Sequence, residues 1–313
     1  MSSSGASAGA EVRAALRIVC GPTGAGKSAL ALALAEAQGL TILVADSRQV
    51  YRGFDIGTAK PTAAERNAVP HAGLDLADAT ERYSAAAWAA HAAEVIRRVG
   101  EDRVLIVGGT GLYLRALTEP LFEEPPLDPQ RRAALAAELE PLDTATLRRW
   151  VATVDACRAG LGRTQLLRAL EVAMLTGQRI SDLHRDAARA PHWRARWLVV
   201  DPGDELHARI ERRLGQMLAE GWLDEVRTLT ATVPDTAPAW NACGYESLRQ
   251  LVQGAGSLGD AQAAILIATR QYAKRQRTWF RHQLTDEAVT HIDPRSADAA
   301  DAAGRWCSEE RSA

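Results

Sequence analysis

The chain has 313 residues, 47% of them hydrophobic, and a formal net charge of −2. That is enough apolar material for one large domain, or for one domain carrying an insert. The near-neutral balance excludes a globally basic surface, so any nucleic-acid site must be a local patch.

Cys20, Cys157, Cys243 and Cys307 lie far apart and form no CxxC. They suggest neither a zinc site nor a disulfide framework and fit a reducing cytoplasm. No apolar run approaches the length of a membrane span. Residues 1–14 are small and polar, without the apolar centre of a signal peptide, and read as a disordered tail.

In chain order, LRIVC (16–20) reads as a buried strand and SALALALAEAQG (28–39) as a helix stopped by Gly39. TILVAD (41–46) is a second buried strand, residues 83–100 an alanine-rich helix and RVLIVGG (103–109) a third strand. Continuous apolar strands alternating with helices predict an α/β fold, a parallel sheet covered on both faces. The pattern breaks at EPLFEEPPLDPQ (119–130), whose four prolines mark a linker. From there to residue 196 only helices are expected, and residues 128–196 hold twelve arginines and no lysine against eight acids. WLVVD (197–201) returns as a strand, followed by amphipathic helices at 203–231, about 243–253 and 260–283. VTHID (289–293) fits a last strand, and the tail from 296 reads as helical or frayed. The division is therefore a core of 15–120 and 197–313, interrupted by a helical insert, 121–196.

GPTGAGKS, residues 21–28, matches G-x-x-x-x-G-K-[ST], with a strand before it and a helix after it. Gly21, Pro22, Thr23, Gly24, Ala25 and Gly26 would turn backbone N–H groups into one concavity, helped by the helix N-terminus. Lys27 would neutralise phosphate oxygens, and the Ser28 hydroxyl would bind Mg2+. A P-loop alone names no reaction. Asp46, closing the second strand, could hold the metal or act as a base. No guanine-reading NKxD follows. Only three of the 37 basic residues are lysine (Lys27, Lys60 and Lys274), each inside a stretch singled out on other grounds. Either this is coincidence, or these sites want a compact point charge rather than a planar fork.

Arg270, Lys274, Arg277 and Arg281 fall at i, i+4, i+7 and i+11, with Arg275 beside them and no acid between 270 and 281. One helical face could thus track RNA phosphates, against the plainer reading of a solvated helix. Tyr272, Trp279 and Phe280 lie in the same run; they could stack on bases, although core packing suits Trp279 and Phe280 better.

GPTGAGKS, ADSRQVYRGFDIGTAKP (45–61), VGGTGLYLRAL (107–117), RALEVAMLTG (168–177) and RQYAKRQRTWFR (270–281), in this order and spacing, resemble the bacterial tRNA dimethylallyltransferases over about residues 16 to 292. The ADSRQVY…GTAKP block is far more specific than the P-loop. The resemblance implies a P-loop NTPase-like core in which the loop holds the diphosphate of dimethylallyl diphosphate. The prenyl group would pass to N6 of the tRNA adenosine 3′-adjacent to the anticodon, and pyrophosphate would leave with Mg2+. Asp46 would then be the base. Arg213 would stabilise the leaving diphosphate, against a plain reading as a surface residue of an amphipathic helix. Thr110 would contact the target nucleotide or order its pocket, against a simple turn. Ser47, Arg48 and Gln49 would hold neighbouring nucleotides, and the insert would clasp the anticodon stem-loop. Arg168 matches the family, but Thr164 and Gln165 stand where glutamine and arginine are expected, with Arg163 a candidate substitute. His71 is assigned no role. No membrane and no obligate protein partner are implied. Three competitors remain open: a prenyltransferase for free adenine nucleotides, a small-molecule kinase, and a non-catalytic RNA-binding P-loop protein.

Overall fold

The structure is a computed structural model that describes residues 15–119, 125, 127–186, 193–284 and 288–309. The N-terminal segment expected to be a disordered tail lies outside the described residues, as does half of the proline-rich linker, residues 120–124 and 126. The chain divides into two compact units, residues 1–118 with 193–313, and residues 119–192.

The first unit begins with β1 (Leu16–Cys20), α1 (Lys27–Gln38), β2 (Thr41–Val44), α2 (Ala63–Ala68), β3 (His71–Ala72), α3 (Ala85–Val99), β4 (Val104–Gly108) and α4 (Gly111–Thr118). β2 is shorter than the sequence suggests, so Ala45 and Asp46 lie beyond the strand on the connection that follows it. Two small elements, α2 and β3, carry no long periodic signal and were not expected. A Thr62–Glu65 capping box nevertheless starts α2.

The second unit holds α5 (Pro129–Leu139), α6 (Thr144–Val154), α7 (Arg163–Thr176) and α8 (Ile180–Asp186). Its core is Leu139, Leu147, Val151, Leu166, Leu170 and their neighbours. Asp128 and Asp143 cap α5 and α6 by accepting from the N–H groups of Arg131 and Thr146.

The first unit resumes with β5 (Ala195–Val200), α9 (Leu206–Ala219), α10 (Trp222–Thr232), α11 (Tyr245–Val252), α12 (Leu258–Gln283), β6 (Val289–Ile292) and α13 (Ala299–Ser308). The single helix expected over 203–231 is two helices. Gly221 takes φ 97°, a left-handed conformation that ends one helix and heads the next. The alanine-rich tail forms α13, and its Trp306 and Cys307 are buried beside α1 in one of the two main cores.

The sheet has six strands in the order β3-β2-β4-β1-β5-β6. Every pairing is parallel, with β1 central between β4 and β5. All five residues of β4 are buried. Such continuous apolar strands need helices on both faces, and the two large cores on those faces supply them. The consequence for function is positional. The loops leaving β1, β2, β4 and β5 all emerge along one edge, the carboxyl edge where open α/β sheets place their ligands. No described helix is long and apolar enough to cross a membrane.

Candidate active site

The loop after β1 brings residues 21–26 to the head of α1. Gly26 is the N-cap in the left-handed region at φ 98°, and a side chain there would press on the Arg209 guanidinium. The Lys27 ammonium donates to the Pro22 carbonyl at 2.8 Å, folding back over its own loop. Burial lowers its pKa to about 8; the Arg213 charge adds to that, and the Asp46 carboxylate opposes it. Ser28, the second residue of α1, is exposed at the same mouth.

Arg213 is not a free surface residue. Its guanidinium reaches from α9 to donate to the Thr23 hydroxyl at 3.0 Å. Burial lowers its pKa below the ordinary arginine value, and Asp46 counteracts this. Thr23, Lys27 and Arg213 therefore come from separate elements to one point above the sheet edge.

Asp46 lies on the turn after β2. Its Oδ1 accepts from the Arg48 N–H at 2.8 Å, which fixes the carboxylate against its own turn. Thr110 opens the turn after β4. Its hydroxyl accepts from the Ser47 N–H at 3.1 Å, and its N–H donates to the Ala45 carbonyl at 3.3 Å. The ends of β2 and β4 are thus stitched together at the residues flanking Asp46. Tyr272, from α12, hydrogen-bonds the Thr110 side chain; burial and then the Asp46 charge push its pKa up to about 12.

These groups border a cavity of about 1170 Å³, lined by Thr23, Gly24, Gly26, Lys27, Ser28, Asp46, Arg48, Gln49, Arg213 and Tyr272. Part of its wall is apolar: Ile210, Leu214, Met217, Trp222, Ala242 and Ile265. A cationic end and an apolar wall share one space.

The other sequence-nominated residues divide. Arg48 forms no ion pair among the described residues. Gln49 spends both amide hydrogens on the Thr58 and Ala59 carbonyls, at 3.0 and 3.1 Å, and so braces the following loop. On α12, Arg277 is held by the Asp201 carboxylate, with Nε at 2.8 Å, and by the Gly203 carbonyl. Arg270 approaches Glu211 at 3.7 Å. Lys274 and Arg281 are exposed. Trp279 and Phe280 pack edge to face with centroids 5.2 Å apart, Phe280 buried, while Tyr272 faces the cavity instead. In the second unit Arg168 pairs with Glu171 at 2.8 Å, a carboxylate that also holds Arg132. Arg163 donates to the Leu142 and Glu140 carbonyls, which ties down the end of α5.

The structure also brings in residues that the sequence reading did not name. Arg209 stands one turn before Arg213 and borders the cavity beside Gly26. Its i, i+4 spacing from Arg213 was the available signal. Gln276 is buried, and its amide spans the P-loop and the end of β4. Nothing in the sequence distinguishes it from a surface glutamine. Lys60, by contrast one of the three lysines already noted, has a side chain only 1% exposed, and its three ammonium hydrogens meet Asp55 at 2.6 Å, Asp75 at 2.5 Å and the Tyr51 carbonyl at 2.6 Å. That ligand shell fits a point charge and not a planar guanidinium.

Fold and site together define a P-loop protein of the parallel α/β class, with an acid and a threonine at the edge of a cavity that is part cationic and part apolar. The sequence profile of the IPP transferase family matches residues 49–283. The chain belongs to that family. Among its relatives, the tRNA dimethylallyltransferase of Synechococcus elongatus is 40% identical over 287 residues, covering 90% of this chain and 92% of the relative. That of Anaeromyxobacter sp. (strain Fw109-5) is 44% identical over 276 residues, covering 86% and 92%. The crystal structure of a tRNA isopentenylpyrophosphate transferase from Bacillus halodurans superposes with a TM-score of 0.63 at 31% identity, covering 90% of each chain. A eukaryotic dimethylallyltransferase solved acting on tRNA superposes with a TM-score of 0.75 at 22% identity, covering 92% of this chain and 77% of that one, a likeness of fold.

Proposed function

We propose that this protein transfers the dimethylallyl group of dimethylallyl diphosphate to N6 of the tRNA adenosine 3′-adjacent to the anticodon, releasing pyrophosphate. One observation carries the reading. Lys27, Arg213 and the Asp46 carboxylate line a single cavity that also has an apolar wall, close enough for Asp46 to oppose the burial of both cations. The five-carbon prenyl tail of such a donor needs that wall.

In this reading the P-loop backbone, Lys27 and Arg213 hold the diphosphate and stabilise the charge that grows on it as the allylic C–O bond breaks. Arg213 is pre-aimed by its bond to Thr23. The tail lies along Leu214, Met217 and Trp222. The N6 lone pair, delocalised into the purine, gains density as Asp46 accepts the amine proton, and the C–N bond forms as the C–O bond breaks. The electron pair of that bond leaves with pyrophosphate, and the proton passes from Asp46 to solvent. Thr110, tied to Ser47 and Tyr272, orders the turn that presents Asp46. A target base in a structured loop must be extruded to reach it.

Ser28 would hold Mg2+ as a hard hydroxyl oxygen exposed at the head of α1, with oxygens of the donor and of water as the remaining ligands. The ion would supply further charge neutralisation at the diphosphate. Arg48, Lys274 and Arg281 remain open toward RNA phosphates, and the arginine-rich second unit adds further contacts. The reaction belongs to the cytoplasm, where tRNA is found.

The test mixes purified protein, dimethylallyl diphosphate, Mg2+ and unmodified tRNA, then digests the RNA and reads the nucleosides by mass spectrometry. Prenylated adenosine is expected. Prenylation of adenosine monophosphate instead, or phosphoryl transfer from labelled ATP, would replace the proposal with one of its competitors.

A further inference from the structure

The amide of Gln276 is buried between two pieces of backbone that belong to different halves of the site. Its Oε1 accepts from the Thr23 N–H at 2.8 Å, and its Nε2 donates to the Gly109 carbonyl at 2.8 Å. The orientation is unambiguous, because one partner can only donate and the other can only accept. Gly109 sits so close that a Cβ there would stand 2.4 Å from Nε2. On one side, Thr23 belongs to the P-loop, and its hydroxyl is taken by Arg213. On the other, Gly109 leads into Thr110, which is bonded to Ser47 next to Asp46. One side chain of α12 therefore joins the loop that faces the diphosphate to the turns that carry the base.

We propose that Gln276 is a positioning residue that sets the separation between the donor-holding loop and the acceptor-activating turn. The inference rests on the prenyl-transfer reading above. Displacement chemistry needs the incoming nitrogen, the allylic carbon and the departing oxygen in line, and a misplacement of about 1 Å can cost on the order of 100-fold in rate. A clip between the two halves controls that alignment without touching either reactant. Only a neutral group with one donor and one acceptor at glutamine length satisfies both partners. Glutamate as the anion cannot donate to Gly109. Glutamic acid, once protonated, can.

This gives the clip a signature that bulk packing lacks. Turnover at saturating donor and tRNA is measured between about pH 5.5 and 8.5 for wild type, Gln276→Glu and Gln276→Met, with donor KM and near-ultraviolet circular dichroism recorded at each pH. At about pH 8, Gln276→Glu should lose roughly 10- to 100-fold in kcat, with donor KM changed only a few-fold. Its kcat relative to wild type should climb at least about tenfold as pH falls and the acid regains its proton. Gln276→Met, isosteric but without either bond, should stay low throughout. The surrounding groups (Lys27 and Cys20 from the β1 side, Asp46 beyond β2, Arg213 on α9, Tyr272 and Arg277 on α12) are the same in every variant, the Gln276→Met profile shows their titration without a new charge, and donor KM at each pH reports any shift that the carboxylate of Gln276→Glu imposes on Lys27.

A ratio that is flat with pH, a loss confined to KM, or wild-type turnover in Gln276→Met would each overturn the proposal. If Gln276→Glu unfolds at high pH, Gln276→Asn decides: a neutral amide one methylene too short to span both partners should lose kcat at every pH, and normal turnover would refute the clip. Should wild type itself form no prenylated adenosine, the prenyl-transfer reading fails. Should it turn over normally while the variants show no such pattern, only the role of Gln276 fails.

Discussion

The P-loop and the cationic face of α12 both stand out in the sequence as binding sites, yet the fold treats them differently. The loop is a local object. Eight contiguous residues set its backbone, and the structure places them at the sheet edge where the motif requires. The helical face is not local. Between residues 270 and 281 there is no acid, but Asp201 from the end of β5 and Glu211 from α9 come in through space to meet Arg277 and Arg270. A motif whose chemistry lies in its own backbone can be read from a string. A charge run can be read only once its neighbours are known.

The comparison breaks most sharply at Asp46. If the loop-and-turn chemistry is right, Asp46→Asn keeps the Arg48 bond and the shape of the turn but removes the proton acceptor. Turnover should fall roughly 10²- to 10⁴-fold while tRNA affinity stays within a few-fold of wild type. Equal losses in both would make Asp46 an RNA-holding residue instead.

Lys60 sharpens the point about lysines. Its ammonium is enclosed by two carboxylates and a carbonyl; Lys60→Met removes the Asp55 pair and leaves Asp75 to Arg66 alone. Both carboxylates are partly exposed, so the loss should be about 1–3 kcal/mol, below that of a fully buried pair. Thermal or urea unfolding measures it. Unchanged stability would mean that the two carboxylates do not depend on this lysine.

Lys27 makes a smaller, pH-dependent prediction. Its pKa in the free protein is lowered to about 8, and only the cation attracts a diphosphate. Binding stabilises that cation and so raises its pKa. Donor affinity should therefore be full below about pH 8 and weaken above it, by up to about tenfold per pH unit, with one proton taken up per donor bound. Calorimetry in buffers of different ionisation enthalpy reads the uptake directly. No proton uptake at about pH 9 would show that the lysine is not the group that meets the donor.

The parallel sheet and the P-loop were legible because each has a period or a spacing of its own, whereas the early end of β2 at Val44, which puts Asp46 on a turn, had none. The break at Gly221 was hidden inside an amphipathic pattern that continues across it, since periodicity does not register a left-handed residue. The bonds by which Arg163 ties down the end of α5 leave no trace in the string. Neither do those of the Gln49 amide to two carbonyls nine and ten residues away. In each case the missing information was which acceptor the fold would bring within 3 Å or so, a fact about packing rather than composition.

The smallest effect tests the helix itself. Lys274 and Arg281 are exposed, whereas Arg277 is committed to Asp201 and the Gly203 carbonyl. If phosphates are tracked by the uncommitted cations, Lys274→Ala and Arg281→Ala should each lower the slope of log affinity against log salt by about one, and leave the melting temperature unchanged. Arg277→Ala should do the reverse. It frees Asp201 at the end of β5, lowers the melting temperature by about 2–4 °C and leaves the salt slope intact. Titrations of tRNA at several salt concentrations, paired with melts of the same three variants, separate the outcomes. A salt slope that drops equally for all three would return the whole face of α12 to RNA binding, with the Asp201 contact no more than a resting place for an arginine that phosphate can claim.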